Sequence, residues 1–156
     1  FYSMDGNTRL VANTIARAAK ADVLELVPEK EISARGFTRY LWGGKSVLMR
    51  EKPALKPLTL DPAGYDMFFL GTPVWAWSMS PPLSTFLSRY SFSGKRVALF
   101  CCHGGGPGKV FRKMREAAPG GVFLGEIGLQ EPRTNETETQ LESARQWVGT
   151  ILSKLG

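Results

Sequence analysis

Asp66-Met67-Phe68-Phe69-Leu70-Gly71-Thr72-Pro73-Val74-Trp75-Ala76-Trp77-Ser78-Met79-Ser80-Pro81-Pro82 contains, in order, a strand, a loop and a helix start. The run from Asp66 to Leu70 is continuously apolar after its first residue, as expected of a strand buried on both faces. Gly71-Thr72-Pro73 stops it. Ser80 stands where a helix cap belongs, and two prolines follow in the first turn, where no amide donor is missed. That helix is predicted to run to about Tyr90.

The same alternation extends in both directions. Upstream, Leu10, Val11, Thr14, Ile15 and Ala18 share one helical face, and Gly6-Asn7-Thr8 opens that helix. Val23 to Val27 reads as a strand stopped by Pro28. Glu29 to Pro62 is the least regular stretch, with a helix expected around Ile32 to Leu41 and a break at Gly43-Gly44. Downstream, Arg96 to Cys102 is a second buried strand. Lys109 to Ala118 is helical, with Val110, Phe111, Met114 and Ala117 on one face. Val122 to Leu129 is a last strand. Asn135, with Glu138 three residues later, offers a capping-box start to a helix lined by Leu141, Ala144, Val148, Ile151 and Leu155. Strands alternating with helices imply crossover units and a parallel sheet covered on both sides. Only Phe1 and Tyr2 precede the Ser3 turn, so the first strand is expected to be truncated, with about five hydrophobic residues lost upstream.

The 156 residues fit one domain, residues 1–156, with 43% apolar and 22% charged residues, which is ordinary globular usage. No apolar run is long enough to cross a membrane as a helix, and no signal peptide is visible. Cys101 and Cys102, the only two cysteines, are adjacent, so a disulfide framework is excluded and a reducing, cytoplasmic setting is the expectation. Net charge is +6, and Arg35 to Lys56 alone contributes +5 (six basic residues, one acidic). Such a segment suits an anionic partner or is a solvated basic face; no nucleic-acid motif accompanies it.

In an open parallel sheet, ligands sit beyond the carboxyl ends of the strands. Three loops belong there. Ser3-Met4-Asp5-Gly6-Asn7-Thr8 leads into a helix whose first amides suit a phosphate, although a plain strand–helix turn uses the same residues. Thr72-Pro73-Val74-Trp75-Ala76-Trp77 carries two tryptophans, which either cap the sheet end or present an indole to a flat ring; stacking of that kind is worth about 1–3 kcal/mol. Cys102-His103-Gly104-Gly105-Gly106-Pro107-Gly108-Lys109 is too glycine-rich for ordinary packing. It fails as a P-loop, because His103 stands at the first required glycine and Val110 at the Ser/Thr. It also lacks a dinucleotide fingerprint, and its bare amides suit the edge of a ring.

Catalytic alternatives are few. His103 is the only histidine, so a two-histidine metal site is impossible. Cys102 and His103 point to opposite faces of a strand and do not meet as nucleophile and base.

Taken together, the three loops resemble the flavodoxin family over nearly the whole chain. Ser3-Met4-Asp5-Gly6-Asn7-Thr8 is similar to its phosphate loop, S/T-x-T-G-x-T. Gly71-Thr72-Pro73-Val74-Trp75 is similar to its ring loop, G-[ST]-P-[VI]-[WY], and Ser93-Gly94-Lys95 before the strand, with the Gly104 to Gly108 run after it, to its third loop. The resemblance implies a three-layer α/β sandwich with a five-stranded parallel sheet in the order 2-1-3-4-5, of the short-chain type. It further implies one non-covalent FMN. The phosphate would lie on the amides of Asp5 to Thr8 and the hydroxyls of Ser3 and Thr8, and the ring between the Trp75 loop and Cys102 to Gly106, with Trp75 or Trp77 against a face.

Two departures stand out. Asp5 replaces a threonine, and its carboxylate is expected to turn to solvent, away from a phosphate it would repel. The chain is also basic, where electron-carrying members are acidic. Two functions follow from the resemblance: an electron-transfer module serving a redox partner protein, or an FMN oxidoreductase taking hydride from a nicotinamide donor to a quinone-like acceptor. A homodimer is compatible with either.

Overall fold

The structure is a computed structural model that describes residues 1–30 and 52–155. The helix expected around Ile32 to Leu41, the Gly43-Gly44 break and most of the basic segment lie outside the described residues. Among the described residues three strands form one parallel sheet: β1 (Met67–Pro73), β2 (Arg96–His103) and β3 (Val122–Gln130), in that order. Among the described residues four α-helices accompany them: α1 (Asn7–Ala19), α2 (Pro81–Arg89), α3 (Val110–Ala117) and α4 (Thr137–Ser153).

β2 lies in the middle and is buried from Val97 through Cys102. Its side chains alternate between two cores, as period-two geometry requires. Val97, Leu99 and Cys101 pack with Leu83, Phe86 and Leu87 of α2 and with Val110 and Met114 of α3. Phe100 and Cys102 pack on the other face with Val11, Ala12 and Ile15 of α1 and with Leu141, Ala144 and Val148 of α4. Two apolar layers around one sheet make the expected α/β sandwich.

Five strands were expected, and the sheet of the described residues has three. Residues 23–27 form no strand. Leu26 N donates to Phe1 O at 2.7 Å, Phe1 N to Leu24 O at 2.9 Å, and Tyr2 N to Gly71 O at 3.2 Å. These bonds line the segments up in the predicted neighbour order, but they are too few for a ladder. A cavity of about 520 Å³, walled in part by Phe1, Leu24, Phe69 and Phe100, lies beside them.

Three local expectations also change. Ala18 is exposed on α1, whose buried face is Thr8, Val11, Ala12, Thr14 and Ile15. Leu155 falls beyond the end of α4. The predicted capping box does not form. Glu136, at φ 42°, is the residue before α4, and no side chain caps it. Asn135 Nδ2 instead donates to Gln130 O at 3.4 Å, and Gln140 Nε2 reaches the same carbonyl at 2.7 Å.

Candidate functional site

The first loop reaches α1 through Gly6, whose φ of 85° is a left-handed value that glycine adopts without strain. This conformation turns the chain directly into the helix. The amide of Leu10 closes the first turn on Gly6 O at 3.0 Å, and that of Arg9 bonds Ser3 Oγ at 3.1 Å. The amides of Gly6, Asn7 and Thr8 donate to no acceptor among the described residues. They are the donors a helix leaves over at its start, and with the helix dipole they suit an anion. The Ser3 and Thr8 hydroxyls face inward: Ser3 Oγ accepts from Arg9, and Thr8, 1% exposed, bonds the Cys102 thiol. Asp5 Oδ1 is shielded from solvent, against the expectation of an outward carboxylate. The side chain of Arg133 lies across this stretch.

The second loop is closed by a two-residue turn. Trp75 N and Ser78 O, and Ser78 N and Trp75 O, are paired at 2.9 Å. Ala76 and Trp77 between them have φ of 45° and 58°, the pattern of a type I′ turn. This turn separates the two indoles. Trp75 packs inward, edge-on to Tyr2 at 5.7 Å between ring centroids. Trp77 is 72% exposed. Both ends of the loop are fixed. Val74 N donates to Cys102 O at 2.9 Å, and the fully buried Thr72 Oγ1 accepts from Ser80 N at 2.9 Å. Ser80 therefore holds the cap position of α2, but its side chain meets Thr72 at 3.0 Å rather than an amide of the helix.

The third loop leaves β2 at His103. His103 Nδ1 accepts from Gly106 N at 3.0 Å, which folds residues 103–106 into a tight turn. Burial lowers the affinity of this imidazole for protons, opposed by the nearby Glu131 carboxylate. Gly104 and Gly105 are exposed. Burial pushes the Cys102 thiol up to about 12, despite its bond to Thr8, and pushes Cys101 up as well. Neither is a thiolate nucleophile at neutral pH.

All three loops leave the same end of the sheet. Trp77 touches Gly108 across the gap between the second and third, and the Tyr2–Trp75 contact joins the second to the first. A terminal phosphate fits the free amides at one side of this face and a planar ring fits the exposed indole at the other, so the residues present suit a flavin mononucleotide.

The family model described as flavodoxin matches residues 1–151. The chain belongs to the flavodoxin family. Solved structures agree on the fold. A Bacteroides eggerthii protein provisionally described as a flavoprotein is 24% identical with a TM-score of 0.76, covering 97% of this chain and 94% of its own. A similarly described protein of Bacteroides uniformis is 25% identical with a TM-score of 0.76, covering 95% and 94%. A Lactobacillus acidophilus flavoprotein, solved in complex with FMN, is 20% identical with a TM-score of 0.67, covering 89% and 93%. No curated protein matches.

Within this flavodoxin the predicted site residues divide into two groups. Gly6, Asn7, Trp77 and Gly104 to Gly106 lie on the open side of the loops. Ser3, Thr8, Thr72, Trp75 and Cys102 support them from beneath. One participant escaped the sequence reading: Arg133, in the loop after β3, donates from its backbone N to Asn7 Oδ1 at 3.0 Å and from Nη1 to Asp5 O. Its one signal in the sequence is a position just past the carboxyl end of a strand. Among the described residues no helix is long and apolar enough to cross a membrane, and no His/Cys/Asp/Glu cluster suits a metal.

Proposed function

We propose that this flavodoxin holds one FMN non-covalently at the three-loop end of its sheet and serves as an electron-transfer protein. The carrying observation is the pairing on one face of acceptor-free amides at Gly6, Asn7 and Thr8 with the exposed indole of Trp77 over Gly108. When bound, the flavin supplies the one- and two-electron chemistry. The residues of the chain bind and orient it. The α1 amides take the phosphate, Trp77 covers one side of the ring and excludes water there, and residues 104–106 offer amides to its edge. The free, buried cysteines agree with a cytoplasmic setting.

Titration with FMN, followed by tryptophan fluorescence and melting temperature, tests this reading. Quenching and a raised melting temperature, both saturating at one equivalent, are expected. An unchanged signal in both overturns it.

The net charge of +6 favours a second reading, in which a phosphate-bearing nicotinamide donor is drawn to the protein and the flavin passes its electrons to a quinone-like acceptor. Steady-state turnover of the loaded protein with NADH or NADPH and a quinone, at tens per second or more, would establish that enzyme over a pure carrier.

A further inference from the structure

The opening of α1 supplies amides to an anion, but it supplies no full positive charge. A doubly charged phosphate held here gains from a cation beside those amides.

Two arginines line the solvent-open recess formed by Asp5, Gly6 and Asn13. Arg9 is committed elsewhere, gripping Glu25 through Nε at 2.8 Å and Nη2 at 2.7 Å. Arg133 is not. Its guanidinium makes one hydrogen bond among the described residues, from Nη1 to the Asp5 carbonyl, and no ion pair there. Most of its five N–H donors therefore remain for a ligand. It is also held in place. Its backbone N bonds Asn7 Oδ1, and its Nη1, Cδ and Cζ would stand 3.1, 3.4 and 3.5 Å from a β carbon added at Gly6. A charge fixed in position over a loop of leftover amides costs little further ordering when an anion arrives.

We propose that Arg133 is the counter-charge for the terminal phosphate and sets the preference of this chain for a phosphorylated flavin over riboflavin. The proposal rests on the FMN reading above. It concerns the phosphate end alone, so riboflavin, which keeps the ring and lacks the phosphate, separates the two.

The experiment measures dissociation constants of FMN and riboflavin by flavin fluorescence for the wild type, R133Q and R133K. The apoprotein melts serve as fold controls. Arg133 is at the surface and its backbone bond to Asn7 survives any substitution, so the variants should fold. R133Q is expected to weaken FMN about ten- to hundredfold, the scale of one charge-assisted contact, and riboflavin less than about twofold. R133K should recover part of the FMN affinity. Equal weakening of both flavins makes Arg133 a loop-shaping residue and overturns the proposal. So does an R133Q variant that binds FMN like the wild type, or a wild type that binds both flavins equally. A wild type that binds neither overturns the function reading, and this proposal with it.

Discussion

The indole of Trp77 rests on Gly108. A β carbon added at Gly108 would stand 2.8 Å from the indole Cδ1 and 3.0 Å from the Trp77 β carbon, and Gly108 has a φ of 55°. Gly108→Ala should therefore push the indole off its seat. The left-handed backbone adds a cost of about 1 kcal/mol, or roughly 2–4 °C in melting temperature for a domain of this size. Trp77→Ala separates the two effects. The side chain is largely in solvent, so stability should stay within about 0.5 kcal/mol, while FMN affinity falls by roughly 1–3 kcal/mol of lost stacking. Thermal melts and fluorescence titrations on the two variants check both statements.

Ala76 and Trp77 occupy the two positions of a turn that normally takes Asn-Gly. Ala76→Asn should relieve part of the left-handed strain without loosening the unfolded chain. A gain of about 0.5–1 kcal/mol is expected, read as a melting temperature higher by roughly 1–4 °C. FMN affinity should be unchanged or better, since the turn that presents Trp77 is kept.

Gly71 has a different reason to be glycine. A β carbon there would fall 1.9 Å from Phe100 Cζ, and Phe100 is 1% exposed in the core between the sheet and α1. The ring cannot retreat. Gly71→Ala should destabilise by about 3 kcal/mol, at the upper end for an overpacked core, and Phe100→Leu in the same chain should recover much of it. Denaturant midpoints of the single and double variants test the coupling. A glycine in the ring-loop pattern is thus also explained by packing.

His103 gives the protein a pH dependence of known sign. Its folded-state proton affinity lies below the ordinary value of 6.5, mainly through burial, and Nδ1 accepts the Gly106 amide only when it carries no proton. The unfolded chain therefore binds more protons in the window just below 6.5, so stability rises with pH through that window and is lost as pH falls through it. As the only histidine, it can be isolated. Melting temperatures of the wild type and His103→Gln, compared between pH 7.5 and 5, should converge as acid is added, the wild type losing its advantage.

Most of the framework was readable in the sequence because it follows from periodicity. Val97 to Cys102 could hardly be other than a central strand, and Pro81-Pro82 after Ser80 marks the start of α2 to the residue. The misreadings arise where a distant group wins over a local preference. Asn135 has the composition of a cap, yet it and Gln140 turn to the Gln130 carbonyl, across ten residues in the case of Gln140. Residues 23–27 have strand composition but too few partners to pair with. Trp75 and Trp77 are equivalent on paper, and only a turn that neither Ala nor Trp advertises sends one inward and the other out. Arg133 meets Asp5 from 128 positions away, and no short motif encodes such a meeting.

The knot at Thr72 and Ser80, together with the Val74–Cys102 bond, leaves the hairpin around Ala76 no slack at its base. Whatever slides between the indole and the glycine run has only a side-chain rotation to wait for, a matter of nanoseconds or less at an exposed site, rather than the slower swing of a flap. Entry to this face should accordingly be governed by encounter, and the residence of a guest by the grip at its two ends.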